Sequence, residues 1–384
     1  INQFENKDVQ LWLQLAFSGM LEMNNMFCRY QQNAYKICNI FFNHAYVPIA
    51  MPVENCIWGA KLGTGTFDKT VKKILRGKKF NTNIYDLSAK RLDNGRYDSI
   101  QVKNEDKVCA IPVEEYENMD STHPLLRCSD SRNLSFIPDE SVDLVLTDPP
   151  YGANVMYSEL IDFFHVWNYK SSIAKEMGFT EPLSPKSNEI IVNSVTGKDF
   201  NYYKNGITSV LSECYKKTKN NGYLVFSFHD KSLDSWLAVL ESIHDAGFLL
   251  SDCYPVQAET RTGAHTSNKN SIGIDLMLIC QKQQIAYEQM NLFMGGDVDR
   301  ALENTRQYIL TVLDKLQKVE AELTVPDIQN IAIAKFFSEI RNYYRYDAES
   351  KKVVITKLQH FLEKIDALSG DFEIPKKRNG WWSE

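Results

Sequence analysis

Short apolar runs alternate with helically spaced segments between residues 124 and 284, and this alternation does most to narrow the fold. The runs lie at 125–128, 142–146, 223–228, 248–250 and 274–280. Between them, apolar residues recur every three or four positions at 157–176, 202–218 and 232–246. In the last of these Trp236, Leu240 and Ile243 share one side, and Gly247 ends the helix. Strands separated by helices predict an α/β sheet with parallel pairing. The run ending at Thr147 is expected beside the run ending at Cys128.

The flanks read differently. Leu11, Leu15, Phe17, Leu21, Met26, Phe27 and Tyr30 predict two or three helices over 8–45. A loop punctuated by Pro and Gly follows over 48–66, then a short helix over 69–76 and weak strands around 100–102 and 108–111. Beyond 284 the pattern is helical, with amphipathic stretches at 306–323 and 328–344. The expected division is a helical and loop region over 1–123, a catalytic domain over 124–284 and an all-α domain over 285–384.

Composition removes several classes. With 43% hydrophobic and 24% charged residues, the chain can bury a core and is not wholly disordered. It has no apolar stretch of the length that crosses a bilayer, so no membrane partner and a cytoplasmic setting are expected. Cysteines 28, 38, 56, 109, 128, 214, 253 and 280 include no C-x-x-C pair, which argues against a zinc ribbon or a disulfide framework. A net charge of −6 is not the signature of a chain that coats nucleic acid, but it leaves room for a local basic groove.

The chemistry concentrates between Asp130 and Tyr151: D-S-R-N-L-S-F-I-P-D-E-S-V-D-L-V-L-T-D-P-P-Y. An apolar strand ends at Thr147, and Asp148-Pro149-Pro150-Tyr151 follows at its carboxyl end, where open α/β sheets bind ligands. Two consecutive prolines stiffen the turn and donate no N–H bonds. Nearby carbonyls and the Asp148 carboxylate then form fixed acceptors, matched by an exocyclic amine with two N–H groups. Tyr151 offers a flat face for a planar base, as a base-flipping enzyme needs. Asp-Pro turns are common on their own; the preceding strand, and the strand expected to run up to Asp130, give this one its weight. Asn154, Tyr157 and Glu159 are candidates for the base pocket, and His229 and Lys231 for phosphate or substrate contact, against a plain solvated turn. The polar segment 260–270, with Arg261, His265 and Lys269, is either a substrate loop or an ordinary long loop. Trp381 and Trp382 beside Lys376, Lys377 and Arg378 either stack on nucleic acid or dock onto protein.

The segment from Thr147 to Trp167, T-D-P-P-Y-G-A-N-V-M-Y-S-E-L-I-D-F-F-H-V-W, resembles motif IV of the S-adenosylmethionine-dependent amino-group methyltransferases in their adenine-N6 form. It is most similar to a family of large bacterial adenine-specific DNA methylases. Supporting likeness runs through Ser184-Pro185-Lys186 with Glu189, through 225–231 to Trp236, and through Tyr254-Pro255-Val256 with Glu259. The resemblance implies a Rossmann-like methyltransferase sheet, S-adenosylmethionine as cofactor and double-stranded DNA as substrate. Asp148, Pro149, Pro150 and Tyr151 take the catalytic and base-stacking positions. Asp130 with Ser131, and Asp148, fall to the cofactor; Tyr151, Asn154, Tyr157, His229 and Lys231 fall to the substrate. Transfer is then direct from sulfonium to nitrogen, with neither a covalent enzyme intermediate nor a metal.

One departure stands out. Such methylases carry a loop of the form Asp-x-Phe-x-Gly-x-Gly after their first strand, and an acidic residue after the second. Here the only Gly-rich stretch before Asp130 is 59–67, without an apolar strand ahead of it. The sheet is therefore expected to be incomplete, and the initial Ile1 fits a truncated protein or one half of a split enzyme. A partner or an N-terminal half would supply the cofactor loop. The leading expectation is a DNA adenine-N6 methyltransferase of restriction-modification or phage defence. The alternatives are an RNA or protein-amine methyltransferase and a non-catalytic DNA-positioning subunit.

Overall fold

The computed structural model describes all residues except 33–34, 43–44, 47–51, 60, 62–63, 94–96, 105–110, 258–271, 284–294, 319–322, 342–347 and 369–384. The polar segment 260–270, most of the run at 108–111, Gly63, and Trp381-Trp382 with their basic neighbours lie outside the described residues. The chain divides into two compact units, residues 1–128 with 155–189, and residues 129–154 with 190–384.

In the first unit, helix α1 (Lys7–Leu21) starts where Asn6 accepts the Val9 N–H at 3.1 Å. It stops where the side chains of Asn24 and Asn25 donate to the carbonyls of Met20 and Leu21, at 2.7 and 2.8 Å. Amide side chains that take these orphan carbonyls compete with further helical turns. Instead of the further helices expected before residue 45, a short antiparallel hairpin follows, β1 (Arg29–Gln31) with β2 (Lys36–Cys38). It turns through Tyr35 at φ 48°. Helix α2 (Phe67–Thr82) is capped by Thr66 and is longer than its apolar spacing indicates. Strands β3 (Tyr85–Arg91) and β4 (Tyr97–Lys103) form an antiparallel ribbon. The helical spacing over 157–176 is two helices, α3 (Tyr157–Asn168) and α4 (Ser172–Glu176). Asp162 on α3 accepts from the Ser184 N–H and hydroxyl and pairs with Lys186, so it anchors a loop. Glu189 receives the N–H and hydroxyl of Ser158.

The second unit is built on a four-stranded sheet in the order β5-β6-β8-β7. These are β5 (Val142–Thr147), β6 (Thr218–Phe228), β7 (Phe248–Gln257) and β8 (Ile274–Lys282). Pairing departs from expectation: β5 and β6 are parallel, but β8 runs antiparallel to both β6 and β7. Residues 125–128 are not a strand beside β5. That run makes only a bridge from Leu125 to Val113, and its Leu126 is 68% exposed. Leu126, Arg127 and Cys128 are all exposed, so the run has no buried face to fix a register on a sheet. Among the described residues nothing pairs with the outer side of β5, so the sheet ends there.

Period-two alternation gives this sheet two unlike faces. Leu224, Phe226 and Phe228 of β6, Leu276, Leu278 and Cys280 of β8, and Phe248 and Cys253 of β7 are buried on one side. Helices α5 (Phe200–Lys217) and α6 (Leu233–Asp245) contribute to the same core, as do α7 (Gly295–Lys318), α8 (Val325–Ile340) and α9 (Ala348–Leu368). The helical C-terminal segment thus belongs to the compact unit that holds the sheet. The other face is bare at its edge: Leu144 and Leu146 of β5 are 51% and 65% exposed. Among the described residues no helix is long and apolar enough to cross a membrane.

The faces predict unequal costs. Leu224→Ala should destabilise the chain by about 2–5 kcal/mol, the usual loss for a buried leucine. Leu146→Ala should stay within about 0.5 kcal/mol. Urea denaturation checks both, and equal losses would contradict the assignment of faces.

Candidate active site

β5 delivers Asp148 just beyond Thr147. Thr147 is in register with Phe226 of β6, which brings Ser227 alongside Asp148. The Ser227 hydroxyl donates to Asp148 Oδ1 at 2.5 Å, and the Tyr151 hydroxyl donates to the same oxygen at 2.8 Å. Oδ2 has no partner among the described residues, so one acceptor of an exposed carboxylate is left available. Charge-assisted bonds of this kind are the stronger class, and two of them fix the carboxylate's direction.

Tyr151 is itself held. Its ring meets Phe228 edge-on at 5.3 Å and the His229 imidazole at 4.9 Å. Burial pushes its phenol well above the ordinary tyrosine range, helped by the nearby carboxylates of Asp148 and Asp275. The phenol therefore stays protonated at neutral pH and remains a donor. His229 Nδ1 bonds the carboxylate of Asp275, at the start of β8.

The Pro-Pro turn is clamped from outside. Tyr203 of α5 donates its hydroxyl to the Pro150 carbonyl at 2.7 Å. The Asn154 N–H bonds the Tyr151 carbonyl at 2.9 Å, and the Val192 N–H bonds the Gly152 carbonyl at 3.0 Å. Gly152 sits at φ +50°, and a Cβ there would come within 2.7 Å of Ser235 Oγ and 3.0 Å of Asp230 Oδ2. Both the backbone conformation and the space call for glycine.

Helix α8 supports this arrangement from beneath. Asn330 Oδ1 accepts the Asp230 N–H at 3.0 Å and the Trp236 indole N–H at 2.9 Å. One turn earlier, Asp327 Oδ1 accepts the N–H groups of Gly273 and Ile274, at 2.8 and 3.2 Å. Two side chains on one face of α8 thus anchor the segments that carry His229 and Asp275. Asp230 is buried; burial raises its carboxyl pKa, opposed by bonds from the Ser232 N–H and the Ser235 side chain.

Pro149 and Pro150 are partly buried, and Asn154 is exposed. The Lys231 side chain is exposed, on the turn after His229. Tyr157 opens α3 in the first compact unit, so it belongs to a different body from Asp148. Asp130 and Ser131 lie in the second unit and are exposed. Arg132 binds both Asp130 oxygens, through Nε at 3.0 Å and Nη2 at 2.5 Å, and brings the carboxyl down to about 2. Ser227, Asp275, Tyr203, Asp327 and Asn330 were not among the sequence candidates. Alternation along the strand at 223–228 does place Ser227 opposite the buried Phe226 and Phe228. Among the described residues no group of three or more His, Cys, Asp or Glu is placed to hold a metal ion.

Asn330→Ala would leave the buried Asp230 N–H unpaired, at about 1–3 kcal/mol, and leave the Trp236 indole only the Asp230 carbonyl at 3.2 Å. Its urea midpoint should fall clearly, while Asn330→Asp, which keeps the acceptor, should fall less. Equal midpoints for wild type and Asn330→Ala would remove α8 as a support of the site.

No curated protein matches the chain. One solved structure that matches is the PvuII DNA methyltransferase (cytosine-N4-specific), at 12% identity over 61% of this chain and 91% of that one. Its TM-score is 0.25. The family model N6_N4_Mtase, described as DNA methylase, matches residues 142–355, more than half of the chain. The match starts at β5, takes in the Asp148–Tyr151 turn and runs into α9. The chain belongs to the N6/N4 DNA methylase family.

Proposed function

We propose that the chain is the catalytic part of a DNA adenine-N6 methyltransferase that uses S-adenosylmethionine and serves restriction-modification or phage defence. The observation that carries this reading is the Asp148 carboxylate, with one oxygen fixed by two hydroxyls and the other turned over to a ligand. An adenine extruded from the duplex offers two N–H groups at its exocyclic nitrogen. Asp148 Oδ2 accepts one of them and the Pro-Pro turn directs a carbonyl toward the other. That leaves the nitrogen lone pair as the nucleophile. The Tyr151 ring stacks on the base, and Asn154 lines its edge. His229 and Lys231 contact the substrate near the same turn. Adenine is preferred over cytosine because the motif opens with Asp148, where cytosine-N4 enzymes more often carry Ser.

S-adenosylmethionine, when bound, supplies the methyl group. With that group bound at the amine nitrogen, Asp148 Oδ2 would take up the proton that the nitrogen sheds on receiving the methyl group. Asp130, Ser131 and Asp148 are the residues this chain would bring to the cofactor. Their fit is partial. Asp130 is already bonded on both oxygens by Arg132 and must exchange that partner to accept from the cofactor. Among the described residues no glycine loop follows a strand next to β5, where the charged methionine end needs close backbone approach. Among the described residues the outer edge of β5 is unpaired, which supports a further strand and loop supplied by an N-terminal half or a separate partner. As a functional division, we assign transfer to residues 124–284 and support of the site to 285–384.

The test is nucleoside mass spectrometry on duplex DNA treated with the complete enzyme. N6-methyladenine should appear with wild type, and Asp148→Ala should lower its rate on the order of 100- to 1000-fold, as loss of one preorganised polar group does. N4-methylcytosine as the product, or an unimpaired Asp148→Ala, would overturn the reading.

A further inference from the structure

Although the whole chain carries a charge of −6, α2 holds Lys69, Lys72, Lys73, Arg76, Lys78 and Lys79 with Asp68 as its only acidic residue. At 100° per residue, Lys69, Lys72, Lys73, Arg76 and Lys79 fall within a stripe of about 120°. The opposite side of α2 packs on α1. Val71 and Ile74 are partly buried there, and Lys78 Nζ lies 4.1 Å from the centre of the Trp12 ring. Gly19 of α1 admits Thr70 so closely that a Cβ would come within 3.1 Å of its methyl group.

Little neutralises the stripe. Lys72 pairs with Asp68 at 2.7 Å on the surface. Lys69, Lys73, Arg76 and Lys79 have no ion-pair partner among the described residues. Like charges three or four residues apart destabilise a helix by about 0.2–0.5 kcal/mol per pair. The stripe therefore works against the fold of the free chain, and a polyanion would relieve it. From Lys69 to Lys79 it runs about 15 Å at about 1.5 Å per residue. That covers about four nucleotide steps of one DNA strand at about 3.4 Å each.

The ribbon that follows is joined to α2 through Phe80 and Tyr85, whose rings meet edge-on at 5.1 Å. Its described side chains are mostly exposed on both faces. Its register places Arg91, Ser99, Gln101 and Lys103 on one face. A two-stranded ribbon has the width of a major groove, and such a hairpin is marginal in water without a partner.

We infer that the cationic stripe of α2 grips the phosphate backbone of duplex DNA, with the β3–β4 ribbon entering the adjoining groove. The inference rests on DNA being the substrate, as the family assignment gives, and does not depend on which base is methylated.

The test is fluorescence anisotropy of the full chain with a labelled mixed-sequence duplex, across a salt series and without cofactor. A variant combining Lys69→Gln, Lys73→Gln, Arg76→Gln and Lys79→Gln should lose roughly three to four from the magnitude of the log K against log salt slope, at about 0.9 per phosphate contact. Affinity at low salt should fall by orders of magnitude for every duplex sequence alike. Its melting temperature should hold or rise, since repulsion is removed. An unchanged slope and affinity in the variant, or no duplex binding by wild type, would overturn the inference. So would stripe-dependent binding to single-stranded RNA or anionic vesicles in preference to duplex. Stripe-dependent duplex binding without any N6-methyladenine formation would uphold the stripe and defeat only the adenine reading.

Discussion

A single carboxylate oxygen, Asp148 Oδ1, ties the candidate site together. It accepts hydroxyls from Ser227 on the neighbouring strand and from Tyr151 three residues on. The parallel β5–β6 register puts Ser227 within reach, and the Pro-Pro turn brings Tyr151 back over the strand end. Without either hydroxyl the carboxylate would rotate in solvent, because Asp148 is exposed and nothing else among the described residues holds it. Exposure and fixed direction are both needed in an acceptor for an incoming amine. The site achieves them by bonding one oxygen and leaving the other open.

The stiffness behind this pair comes from distant parts of the chain. Tyr203 holds the Pro150 carbonyl from α5. Asn330 and Asp327, one turn apart on α8, hold the backbone beside His229 and ahead of Asp275. All these donors and acceptors are buried or partly buried, where each bond is worth more than at the surface and each loss costs more. The C-terminal helices are thus the wall against which the active loop is set. The family match, which extends to residue 355, takes in all of α7 and α8.

Much of the sheet could be read from the sequence because its strands bury one face. The runs at 142–146, 223–228, 248–250 and 274–280 all became strands, since alternate residues such as Leu224, Phe226 and Leu276 have a core to enter. The run at 125–128 is apolar too, but among the described residues it makes only the Leu125–Val113 bridge, and Leu126 stays exposed. Strand direction was not legible: apolar content does not distinguish β8 antiparallel from β8 parallel. At the site, the Asp148–Tyr151 turn announced itself through two prolines and a preceding strand. Ser227 was only half visible, because its role needs the strand order. Asn330 was invisible, as its partners lie 100 and 94 residues away and an asparagine within a helix gives no sign of what it meets.

A double-mutant cycle on single-turnover methyl transfer by the complete enzyme tests the central constraint most directly. Ser227→Ala and Tyr151→Phe each leave Asp148 one hydroxyl, while the double variant leaves none. The account predicts a modest loss for each single variant and a double loss clearly greater than their product, on the order of 100-fold or more in all, because only the double releases the carboxylate. A double variant no slower than the product of the singles, or singles and double all at the wild-type rate, would contradict the claim that these two hydroxyls jointly aim Asp148.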